Sequence, residues 1–195
     1  MALLRPASSS DIGPVIRNER VTLRTPQMGD YPAWAELRSQ SYEFLRPWEP
    51  LWAPDELGRS SYRRRVRHYL RDLREDMGYA LFVFSNETEE LVGGLTLCNV
   101  RRGVTQACTL GYWTGAPYAR RGYMTEAVRA VIPFVFDSLD LHRLEAACLP
   151  NNTPSKRLLE KTGFKQEGFA RRYLRINGEW QDHLLYALLD TDERL

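Results

Sequence analysis

Apolar residues recur along this chain in two rhythms, every second position in some stretches and every third or fourth in others. Val21–Arg24 alternates and predicts a short strand. Asp30 is then placed to N-cap a helix through Trp34 and Leu37 towards Gln40, with Pro32 in the first turn, where proline is tolerated. Over residues 60–75 the stripe Tyr62, Val66, Tyr69, Leu70 and Leu73 predicts a second helix, and Arg63, Arg67, Arg71 and Arg74 share its opposite face. Between these helices the prolines and acidic residue of the aromatic stretch 44–52 predict a loop without regular structure. Residues 79–84 and 91–100 read as a hairpin, and Arg101, Arg102 and Gly103 turn the chain into a further strand, Ala107–Thr114. Val128, Val131, Ile132, Val135 and Phe136 trace the apolar face of a central helix reaching about Ser138. Pro133 inside it removes one helical hydrogen bond, and either kinks the last turn or ends the helix early. A strand at 143–149, a helix reaching Lys161 with Gly163 as its stop, and strands at 165–174 and 182–189 complete the pattern. Asn177-Gly178 between the last two strands is the strongest hairpin signal in the sequence.

This order predicts one α/β domain with a mixed sheet over residues 15–195, behind a flexible lead-in over 1–14. Apolar content of 43% and charged content of 27% suit a soluble globular chain, and a net charge of +2 gives no global pull towards nucleic acid. No apolar run is long enough to cross a bilayer. Cys98, Cys108 and Cys148 are odd in number, widely spaced and set among apolar residues, which predicts buried thiols in a reducing cytoplasm. His68, His142 and His183 form no metal-ligand pattern.

The local chemistry concentrates between the Ala107–Thr114 strand and the central helix. Residues 115–122 form a loop with glycine at both ends and the adjacent pair Arg120 and Arg121. A strand passing through such a loop into a helix start offers free backbone N–H groups and the positive end of a helix dipole, a site for phosphate or pyrophosphate. Gly122 would allow close approach of the anion, and the arginines would add charge at the rim. The alternative is an ordinary loop with a solvated arginine pair.

Taken in sequence, LRPWEP (45–50), LGYW (110–113), RGYMTEA (121–127), NNTPS (151–155), GFKQEGFA (163–170) and NGEWQDH (177–183) resemble the GNAT superfamily of N-acetyltransferases, and within it the ribosomal-protein alanine N-acetyltransferases of the Rim group. The resemblance covers nearly the whole chain from Val21 onward. It implies a mostly antiparallel central sheet whose middle strands splay apart, flanked by helices on both faces. It also implies acetyl-CoA as co-substrate, its pyrophosphate on the backbone of Arg120, Arg121, Gly122, Tyr123, Met124 and Thr125 and its pantetheine between the splayed strands. The family's turn usually opens with Gln or Arg where this chain has Ala119, a departure that matters less because most phosphate contacts are backbone ones.

Amide formation needs a neutral amine, a donor to the developing oxyanion and a way to protonate the departing thiolate. A peptide α-amine has a pKa of about 8 against about 10.4 for lysine, so a modest base suffices. By resemblance Glu167 is that base, acting through water; its other reading is a surface glutamate on a strand. Ser155 would donate to the sulfur, or simply begin a helix, and Asn152 would bind the pantetheine amide, or make the turn. Leu158 and Leu159 stand where many relatives carry a tyrosine acid. Backbone N–H groups of Leu110, Gly111 and Tyr112 are oxyanion candidates. Glu49 either holds an incoming ammonium or braces its loop, and Trp48 and Trp180 are the walls of an acceptor groove if the 173–183 hairpin folds over the same end of the sheet. The arginine face of the second helix is either solvated or meets an acidic partner such as ribosomal RNA. Three functions remain: α-amine acetylation of a protein with a small first residue such as alanine, a ribosomal protein for example; acetylation of a small amine such as an amino acid, polyamine or antibiotic; or non-catalytic acyl-CoA binding.

Overall fold

The computed structural model describes residues 3–4 and 13–193 of the chain. Strands β1 (Leu3–Leu4), β2 (Val15–Arg17) and β3 (Val21–Arg24) lead into helices α1 (Tyr31–Gln40), α2 (Tyr42–Leu45) and α3 (Arg59–Arg74). Strands β4 (Tyr79–Ser85), β5 (Leu91–Arg101) and β6 (Ala107–Thr114) follow, then helix α4 (Tyr123–Pro133), strand β7 (Arg143–Cys148), helix α5 (Thr153–Lys161) and strands β8 (Lys165–Ile176) and β9 (Glu179–Leu189). Among the described residues they form a nine-stranded sheet in the order β1-β2-β3-β4-β5-β6-β7-β9-β8. Of the lead-in expected over 1–14, Leu3 and Leu4 pair with Arg17 and Ile16, and most of the rest lies outside the described residues.

One junction in this sheet positions everything else. Strands β6 and β7 run parallel, whereas every other neighbouring pair is antiparallel. Their pairing starts at Ala107 with Arg143 and stops at Leu110 with Ala146. Beyond that point β6 stays with β5 as far as Thr114, opposite Gly93, while β7 stays with β9 as far as Cys148, opposite Leu184. The sheet therefore opens between Gly111–Thr114 and Ala147–Cys148, and the backbone groups of β6 that point across the opening have no strand partner.

Helices cover both faces, as alternation within β4 requires. Leu81 and Val83 point into the main core with α4, whose Ala127, Val128, Val131 and the following Val135 are fully buried. Phe82 points the other way, into a second core with Trp34 and Leu37 of α1 and Tyr62 and Val66 of α3. The α-helix ends at Pro133, whose missing N–H leaves no donor for the carbonyl four residues back, and the chain continues as a wider π turn over Phe134–Ser138. Cys98, Cys108 and Cys148 are free thiols; burial pushes that of Cys108 up to about 12.

Two local expectations are corrected. The 44–52 stretch is not structureless: α2 runs through Leu45, and Arg46–Trp48 forms a 3-10 turn with Pro47 in an early position that needs no N–H donor. Asp30 does stand at the N-cap position of α1, but its carboxylate makes no cap bond and instead accepts from both terminal nitrogens of Arg24, at 2.8 and 2.6 Å, and from the Gln27 N–H at 2.7 Å. The Asn177-Gly178 turn forms as read, with both residues at positive φ (46° and 87°), the geometry of a two-residue hairpin.

Candidate functional site

The loop leaving β6 is built to present amides. Arg120 and Gly122 both take left-handed backbone, with φ of 62° and 84°, a conformation that costs an arginine and suits a glycine. Among the described residues, no backbone hydrogen bond leaves the amides of Arg120, Arg121, Gly122, Tyr123, Met124 or Thr125; the first at this end runs from the Glu126 N–H to Gly122 O at 3.1 Å. No side chain caps the helix at Gly122 either. Tyr123 and Met124 bury their side chains, so they have only backbone to offer a ligand. A run of unpaired N–H groups at a helix start is an anion cradle. A third guanidinium joins it. Arg20 donates to Arg121 O at 3.1 Å and lies over the Tyr123 ring, 5.3 Å from its centroid.

The opening between β6 and β7 lies at the other end of this loop. Leu110 is buried, but Gly111 is exposed, and a Cβ built on it would meet nothing within 4 Å. Tyr112 sends its hydroxyl across to Ser155 Oγ at 2.7 Å. Burial raises the Tyr112 phenol well above the ordinary tyrosine range, so it remains protonated. At the end of β7, burial raises the Cys148 thiol, an effect that Ser155 partly offsets. Asn152 Oδ1 accepts from the Ser155 N–H at 3.1 Å, which fixes the start of α5 and leaves its Nδ2 without a partner among the described residues. A peptide-like chain lying in the opening would thus meet strand amides on one side and Asn152, Ser155 and Tyr112 on the other.

A brace joins distant segments at the hairpin end of the sheet. The Asn177 N–H at the tip of the β8–β9 hairpin donates to Glu49 O at 2.8 Å, so the hairpin and the aromatic segment do share one end of the sheet. Trp48 is half-buried there, and Trp180 is 61% exposed. The Glu49 carboxylate is occupied. Arg38 donates to both its oxygens, at 2.7 and 2.6 Å, and Trp52 Nε1 donates at 2.9 Å. Of the two sequence readings of Glu49, the geometry matches the bracing one. The Arg38 guanidinium lies 4.4 Å from the Trp52 ring centroid and 4.8 Å from that of Trp113. Trp113 in turn lies against Gly94, where any side chain would overlap the indole.

Glu167 is also occupied. Arg143 grips its carboxylate with both terminal nitrogens, one bond measuring 3.1 Å, and also donates to Glu145 at 2.9 Å. That guanidinium holds the Glu167 carboxyl below the usual range, ionised but paired. The structure does not group Glu167 with Tyr112 and Ser155.

Sequence reasoning missed Arg38 and Arg20. Arg38 left a trace: with Trp34 and Leu37 it occupies the i, i+3, i+4 stripe of α1, an arginine on the apolar face. Arg20 left none, because its contact with Arg121 spans 101 residues.

A family profile described as "Acetyltransferase (GNAT) domain" matches residues 20–165. The probable N-acetyltransferase YjcK of Bacillus subtilis is 33% identical over 92% of this chain and 99% of its own length. The [ribosomal protein uS5]-alanine N-acetyltransferase of Escherichia coli is 33% identical over 84% of this chain and 85% of its own. Mycobacterium smegmatis RimJ, solved in complex with CoA-disulfide, superposes with a TM-score of 0.83 at 32% identity, covering 87% of this chain and 82% of that one.

Proposed function

This chain belongs to the GNAT acetyltransferase family, and on that premise we propose that it transfers the acetyl group of acetyl-CoA to the N-terminal α-amine of a protein beginning with a small residue such as alanine, a ribosomal protein being the acceptor class its relatives suggest. The amide cradle at Arg120–Thr125 fits the pyrophosphate, and the opening beyond Leu110 fits the pantetheine arm and thioester. The amine attacks the thioester carbon directly in a ternary complex, the oxyanion meets unpaired β6 amides near Gly111, and the thiolate leaves towards Ser155 and Tyr112. Glu167 is the proposed proton acceptor through water. Its resting pair with Arg143 keeps it ionised, but it must loosen for the proton to be taken.

The observation that carries the protein-acceptor reading is the hydrogen bond from Asn177 to Glu49, which sets Trp48 and Trp180 at one end of the sheet where an extended chain can lie. Incubation with acetyl-CoA and a panel of peptides, polyamines and aminoglycosides tests it. Peptides starting with alanine or serine are acetylated at the α-amine; product confined to lysine side chains, polyamines or aminoglycosides refutes it. A further part of the proposal is a reducing cytoplasmic setting, supported by three free cysteines. Another is contact with ribosomal RNA through Arg63, Arg67, Arg71 and Arg74, all exposed on one face of α3. No helix among the described residues is long and apolar enough to cross a membrane.

A further inference from the structure

The last turn of α1 meets the start of the anion loop, the 46–52 segment and the free end of β6. Leu37 packs where Gly115 has no side chain, and any Cβ there would run into it. Ser41, fully buried, accepts the Ala116 N–H at 2.8 Å and so holds the start of the anion loop. Arg38 lies between them in sequence, with 6% of its surface exposed, and its Nε is buried without a hydrogen-bond partner. Burying a guanidinium is costly unless its charge is matched, and here Glu49 and two indole faces match it. Nothing in the core requires a charged pair at this place. What the pair achieves is linkage: it ties α1 to the 46–52 segment, and that segment's Glu49 carbonyl receives the hairpin tip through Asn177. The same guanidinium lies over Trp113, which belongs to the part of β6 left unpaired by β7.

We propose that Arg38 is the positioning residue of the acceptor groove: its clamp on Glu49 holds the aromatic segment against the β8–β9 hairpin, so the groove is formed before the acceptor arrives. The role rests on the acetyltransferase reading for its purpose but not for its geometry. A preformed groove spares the acceptor the ordering of two mobile walls, so loss of the clamp should appear in acceptor KM rather than in kcat. Lysine at this position keeps a charge and loses the two-point grip and the stacked plane.

The test uses Arg38→Lys, with Glu49→Gln as a second variant in case the first does not fold. Amide exchange at Asn177 is measured on the protein without substrates, with the Leu188 amide in the core as the control for global stability. Exchange at Asn177 accelerates by about tenfold or more while Leu188 is unchanged, acceptor-peptide KM rises about tenfold, and kcat and the Kd of acetyl-CoA stay within about twofold. Unchanged exchange at Asn177 overturns the clamp whatever the acceptor is. Faster exchange with unchanged peptide KM overturns its link to the acceptor. A protein that acetylates no peptide fails the functional reading instead, and the exchange arm still decides whether Arg38 holds the hairpin.

Discussion

Tyr112 and Ser155, 43 positions apart, share a 2.7 Å hydrogen bond across the opening where β6 and β7 part. A phenol raised by burial stays protonated, so in the proposed reaction the pair is placed to donate to the departing thiolate. Tyr112→Phe and Ser155→Ala should each lower turnover about tenfold to a hundredfold with acetyl-CoA affinity nearly unchanged. If the two bonded hydroxyls act as one relay, the double variant should lose little more than either single one. Turnover numbers for the three proteins decide it; additive losses would mean that the hydroxyls work separately.

Glu167 and Arg143 make the second prediction, through pH. If Glu167 receives the amine's proton, Glu167→Gln lowers turnover about a hundredfold. It acts only when ionised, and Arg143 lowers its pKa, so the acid limb of kcat/KM, corrected for the fraction of neutral amine, should lie below the usual carboxylate range. Arg143→Gln removes that cause and lets the pKa rise, which moves the acid limb of kcat/KM to higher pH. A pair that merely braces β7 against β8 would leave the limb in place.

Ligand binding at the helix start should be visible in stability. At a hundredfold excess over its Kd, CoA should stabilise the protein by about 2.7 kcal/mol and raise the Tm accordingly. Gly122→Glu places a carboxylate and an unfavourable positive φ in the cradle, so CoA should no longer shift the Tm of a variant that still melts cooperatively. An undiminished shift would put the phosphate elsewhere.

The arginine face of α3 can be tested by salt. Replacing Arg63, Arg67, Arg71 and Arg74 with Gln should weaken binding to an RNA stem and reduce the slope of log K against log salt by about three. Equal slopes for the two proteins would make the face a solvated one.

Much of the fold was legible because periodicity is local. The stripe of α3, the Asn177-Gly178 turn and the strand edges at Val21, Ala107 and Arg143 all appear where alternation and turn residues put them. The three residues of β2 were too few to show a rhythm, and Pro47 read as a breaker although the first turn of a 3-10 helix accepts it. The loop, helix start and α5 cap proposed for the donor were legible for the same reason, since each lies within a short stretch. The acceptor side was not. Its decisive contacts join Arg38 to Glu49, Asn177 to Glu49 and Arg143 to Glu167, and no local pattern states which partner a charged side chain will choose.

Apart from Arg20, the groups proposed for the acetyl donor come from one middle section of the chain, from β6 to the start of α5, whereas the proposed acceptor walls come from the two flanks, 38–52 and 173–180. Such a layout lets descendants of one ancestor diverge in what they modify while inheriting how they modify it. Substitutions or insertions in either flank can reshape the recognised amine without passing through a form that has lost its donor. The freedom has a limit at Leu37 and Ser41, where the first flank rests on Gly115 and Ala116, so drift there would disturb both halves at once.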